Sequence, residues 1–232
     1  MTGYSSLQNG GVNSNIAIND ATKIETTKQS KQDSIEFSDS AKSYLSSIQY
    51  EKFMPTRSGF SSQNIAIGVS DPSAEPFSQK RNIIDVAQSA RENLNQKYDS
   101  MKQSGTPFSF DSFEGKDWYS AFGDLDRRAL FAIRSNIGGQ FTKQEQDIAQ
   151  SIMSTQEGLA MGLYSGPTSL AGDFSDKFAG NDVARFKAYE NYLSRVSDDE
   201  KSSGEWILAN DGAKRGYQSI VENEKYRREH SE

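Results

Sequence analysis

Residues 134–145, RSNIGGQFTKQE, decide how the chain folds. Gly138 and Gly139 disfavour a continuing helix. Thr142, followed three residues later by Glu145, is a capping box that starts a new one. The stretch therefore reads as one helix ending and another beginning. Apolar residues at helical spacing flank it on both sides. Upstream, "LDRRALFAIRS" (125–135) follows Asp124 as the expected cap. Downstream, residues 142–167 place Ile148, Ile152, Met153, Leu159, Ala160 and Leu163 on one face, with a stop at Gly166 and Pro167.

The same period extends outward. Residues 80–105 carry Ile83, Ile84, Val86, Ala87, Ala90, Leu94, Tyr98 and Met101 on a broad stripe closed by Gly105. "DWYSAF" (117–122) makes a short helical turn. Asn181 caps a helix with Val183, Phe186, Tyr189, Leu193 and Val196 inward, and Ser197 with Glu200 forms a second capping box. A last helix runs through Trp206, Ile207, Tyr217, Ile220 and Val221, with a bend or break expected at "NDGAKRG" (210–216). The expected fold is all-α, with the helical domain over 80–232.

Ahead of it, residues 35–79 read as a short helix and a linker. Ser38 caps the helix, and Ala41, Tyr44, Leu45 and Ile48 lie at helical spacing. Three turns are marginal alone, so this helix either docks on the domain or meets a partner. "NIAIGV" (64–69) could form a short strand, with "PFSFDSF" (107–113) as its mate. Residues 1–34, rich in Ser, Thr, Asn and Gln without apolar period, read as a disordered leader. This division places a protease-resistant fragment beyond about residue 75.

Composition removes several function classes. The chain of 232 residues has no cysteine and one histidine, His230, so thiolate or imidazole metal sites and thiol nucleophiles are excluded. A net charge of −6 and pI near 5.0 argue against binding nucleic acid phosphates. The longest apolar run, 129–133, is far too short for membrane insertion. The N-terminus has neither the basic start nor the apolar stretch of a signal peptide, so the expected location is the cytoplasm, or outside it by a route that needs no such peptide.

With Phe141 as the buried residue of the loop, residues 134–145 resemble the twelve-residue loop of an EF-hand. Gly139 takes the turn, Asn136 and Thr142 fall at ligand places, and Glu145 stands where the family has its final glutamate. With its helices the resemblance covers 124–163, and it implies a helix-loop-helix around calcium. The departures are chemical: Arg134 stands where the family has an aspartate, and Gly138 brings no side chain to another ligand place. One carboxylate beside a guanidinium is a poor calcium site, so no metal or other cofactor is expected. Three readings stay open: a calcium site, a metal-free hinge with Arg134 reaching Glu145, and an ordinary turn.

Other clusters were weighed the same way. Asp198, Asp199 and Glu200 read as helix-start acids, and Arg127 and Arg128 as exposed helical arginines. A carboxylate-dependent hydrolase of cell-wall or polysaccharide substrates would need Glu114 or Asp117 facing Glu145 or Glu157. The aromatic residues at 118–141 are core, or the lining of a peptide groove; Tyr44, Leu45, Ile48, Trp118 and Tyr119 are the candidate contacts to a protein partner. The polar leader followed by "DSIEFSDSAKSYL" (33–45) is similar to bacterial flagellar and type III-exported proteins. The leading expectation is a non-enzymatic interaction or regulatory protein with a metal-free EF-hand-like helical domain.

Overall fold

The computed structural model describes residues 39–230. The expected leader and the Ser38 cap lie outside them. Among the described residues every regular element is helical and there is no strand. In chain order the α-helices are α1 (Asp39–Glu51), α2 (Gln63–Ser70), α3 (Ile83–Gln103), α4 (Lys116–Phe122) and α5 (Arg127–Arg134). They continue as α6 (Lys143–Ala160), α7 (Asp182–Arg195), α8 (Asp198–Lys201) and α9 (Gly204–His230).

The core is a single apolar cluster centred on α5 and α6. Phe122, Leu125, Leu130, Ile133, Ile152 and Met153 are buried there, with Val86, Ala90, Leu94 and Met101 supplied by α3. The stripes expected for α3, α5 and α6 form this core. Ile84, Leu163 and Ile207, expected inward, are exposed instead.

Residues 64–69 are not a strand but the centre of α2, and all of Ile65, Ala66, Ile67, Gly68 and Val69 are buried. A short apolar run buried on every side has no polar face from which periodicity could distinguish the two. A helix satisfies its own backbone, whereas the proposed mate, residues 107–113, lies in coil and turn up to the 3-10 turn that begins at Phe113. The close approach of α6 reinforces this, since a Cβ on Gly68 would lie 2.3 Å from the Gln156 amide nitrogen. That amide instead donates to the Ile65 carbonyl at 2.8 Å.

The domain consequently does not begin at 80. Tyr50 near the end of α1, Phe53 and Met54 just after it, and Ile65, Ala66 and Val69 of α2 belong to the same apolar cluster as α5 and α6. Residues 71–82 are no free linker either. Asp126 accepts from the backbone of Phe77 at 3.0 Å and Ser78 at 2.6 Å, and from the Ser78 hydroxyl at 2.6 Å. Asp126, not Asp124, also caps α5 through the Ala129 amide. Proline content suggested a linker, but proline excludes helix from a segment without excluding burial.

α6 stops at Ala160, earlier than Gly166, because Gly162 takes a left-handed conformation two residues on. α9 runs unbroken through 210–216. Its glycine there admits a neighbour: a Cβ on Gly216 would lie 2.3 Å from the Phe186 ring of α7.

Removing residues 1–79 should therefore abolish cooperative unfolding, because it exposes the faces of α5 and α6 that α1 and α2 cover. Thermal melting monitored by circular dichroism checks this; a sharp transition near that of the whole chain would restore the boundary at 80.

Candidate functional site

The loop between α5 and α6 turns through Asn136, Gly138 and Gly139, all at positive φ, with a 3-10 turn at Ile137–Gly139. The Asn136 side-chain oxygen accepts from the Phe141 amide at 3.0 Å, and Phe141 is buried as expected. The capping box is complete, with Thr142 and Glu145 each bonded to the other's backbone.

Arg134 does not reach Glu145. It lies over the Phe131 ring, donates to Gln150 at 3.3 Å and stands 4.0 Å from Glu205. The cation on Glu145 is Arg91 of α3, which meets both carboxylate oxygens at 2.8 and 2.9 Å, while the Tyr98 hydroxyl donates at 3.1 Å. Burial, and then the charge of Glu145, push the Tyr98 phenol well above its ordinary value. Glu145 is thus a clasp between α3 and the start of α6, with its oxygens occupied. Among the described residues no three acidic or histidine side chains cluster as metal ligands would.

The larger node is Arg127, which is buried, not exposed. Its Nε and Nη2 fork onto Glu200 at 3.0 and 2.6 Å, and Nη2 also meets Glu157 at 2.7 Å. Nη1 donates to Tyr192 at 2.6 Å, and Tyr192 in turn donates to the Gly68 carbonyl at 2.9 Å. Burial alone would lower the guanidinium pKa; Tyr192 and the two glutamates outweigh it and hold the group above its ordinary value. Glu200 therefore completes only half of its expected capping box, its backbone N–H donating to Ser197 Oγ while its carboxylate turns to Arg127. Arg128 likewise pairs with Asp199 at 2.7 Å.

These pairings use up most of the acids proposed for hydrolysis. Asp117 is buried and forked by Arg57, Glu145 is held by Arg91, and Glu157 by Arg127. Only Glu114 opens onto a groove. This groove, of about 580 Å3, runs between the segment 112–119, the outer face of α6 and residues 165–168. Hydroxyls and amides from Gln150, Ser151, Ser154 and Thr155 line one wall, and Trp118 the other. Phe113, next to it in the chain, is 81% exposed.

Of the expected partner contacts, Trp118 is half-buried and faces this groove. Tyr119 also lines it, but its side chain is packed into the core, and burial raises its phenol pKa. Tyr44, Leu45 and Ile48 project outward from α1 at 42%, 51% and 49% exposure. They do not form the docked face, which is made by Ser47 and Tyr50. The groove joins three segments far apart in sequence, so no local spacing announces it. The exposed phenylalanine and the glutamate at positive φ are its signs in the fold.

No family model matches the chain, and no curated protein or solved structure matches it.

Phe141→Ala should cost about 3–5 kcal/mol of stability, since the ring is buried beneath the Arg91 guanidinium. Millimolar calcium should leave the melting temperature of the wild type unchanged, because Glu145 is already bonded. A calcium-binding heat by calorimetry would show that the ion displaces Arg91.

Proposed function

We propose that the protein is a non-enzymatic interaction protein whose helical body holds an extended segment of a partner protein in the groove beside Trp118. The observation that carries this reading is the half-buried ring of Trp118 at a concave surface lined by hydrogen-bonding groups, with Phe113 exposed close by in the chain. Peptide sites combine these two elements: rings supply area at small entropic cost, and hydroxyls and amides satisfy the guest's backbone. The groove presents a single carboxylate, where glycoside hydrolysis calls for a pair facing each other across it. On this reading the helix-loop-helix of α5 and α6 is an EF-hand-like scaffold without metal, and its role is to hold the outer face of α6 in place.

Ser154 is exposed in the groove and its replacement removes no buried contact. Ser154→Trp should fill the groove and leave the melting temperature unchanged. A displayed peptide library selected on the full chain should enrich sequences that the Ser154→Trp protein no longer retains. Equal retention by both proteins would place the binding surface elsewhere.

A further inference from the structure

Resting on the groove reading, we propose that the bound segment carries an arginine, whose guanidinium stacks on Trp118 and donates to the carboxylate of Glu114. Glu114 is an acid without a cation. Asp117, Glu145, Asp176, Asp199 and Glu200 are each bound to an arginine of the chain, whereas no described lysine or arginine pairs with Glu114. No residue lining the groove is cationic. The negative charge is felt nearby: after burial, Glu114 is the next cause raising the phenol of Tyr164.

The carboxylate is also held in place. Glu114 adopts φ 51 and is followed by Gly115 at φ 70, a left-handed pair that costs free energy for a residue with a side chain. The conformation is secured from a distant segment. The Ser169 amide donates to one carboxylate oxygen at 2.8 Å, and the Ser169 hydroxyl donates to the other. Ser169 thus takes the side-by-side pair of acceptor positions, and each oxygen keeps one outward position for a further donor.

A guanidinium can lay its flat face on an aromatic ring and still donate in its own plane to such an outward position, which an ammonium cannot do. The chain itself pairs arginine with its acids at Arg57 on Asp117 and Arg127 on Glu200. Trp118 supplies the flat surface. Its indole N–H is already spent on the Phe110 carbonyl at 2.8 Å. Gly115 packs on the benzo part of the ring, where a Cβ would approach to 3.1 Å. The ring is only half-buried, and a guanidinium over an indole is the strongest of the cation–aromatic pairings.

The test compares three capped pentapeptides, Gly-Ser-X-Ser-Gly with X as arginine, citrulline or lysine, by amide chemical-shift titration of the full-length protein. Citrulline keeps the shape and removes the charge, and it requires no protein variant. The arginine peptide should shift residues 112–119 and 150–155 and bind about tenfold or more tighter than the citrulline peptide. Glu114→Gln, with its melting temperature checked, should erase that difference. Equal binding of arginine and citrulline, abolished by Ser154→Trp, would overturn the arginine assignment and leave the groove reading intact. Equal binding of lysine and arginine would overturn the choice of arginine. Absence of shifts with all three peptides would overturn the arginine assignment; the groove reading falls only if the library also enriches nothing.

Discussion

A guanidinium removed from water must be given back its hydrogen bonds, and Arg127 governs the arrangement of this fold for that reason. An isolated buried ion costs several kcal/mol, so every element that touches it is tied to a partner group of fixed geometry. Arg127 starts α5. Its acceptors are Gln156 and Glu157 on α6, Tyr192 on α7 and Glu200 on α8, and Tyr192 passes the network on to the α2 backbone at Gly68. Three helices, α6, α7 and α8, converge on one side chain of α5, and α2 joins them through Tyr192.

The same device recurs at smaller scale. Arg57 and Asp117 join the segment after α1 to α4, Arg91 and Glu145 join α3 to α6, and Arg195 and Asp71 join α7 to the end of α2. Apolar packing provides most of the driving force, but it is non-directional, and the forks specify which helix meets which. Asp126 and Glu114 are held in position without an arginine. Asp126 is buried and satisfied by Phe77, Ser78 and Ala129, whereas Glu114 is held by Ser169 and opens onto the groove.

Where one face of a helix meets solvent, the sequence was readable. The stripes of α3, α5 and α6 and the caps at Thr142, Asn181 and Ser197 all appear in the fold, because period and capping chemistry are local. α2 was not readable, since a helix buried on all sides has no polar face to mark its period. The outward turn of Tyr44, Leu45 and Ile48 depends on which face of α1 meets α2, and that choice is tertiary. Arg127 looked like any exposed helical arginine, and Glu200 looked like half of a capping box, because neither shows locally that the other lies opposite. For the site, Trp118 was expected as a candidate contact, and it lines the groove. The groove around it needed the fold to bring 112–119, 150–155 and 165–168 together.

The central claim is that Arg127 and Glu200 act as one unit that holds the helices in register. A double-mutant cycle in denaturant melts measures it directly, with Arg127→Met, Glu200→Leu and the pair together. Each single change should cost about 3–5 kcal/mol by stranding the other charge, and the double should cost clearly less than their sum. Costs of the single changes that simply add would show two independent residues and contradict the account.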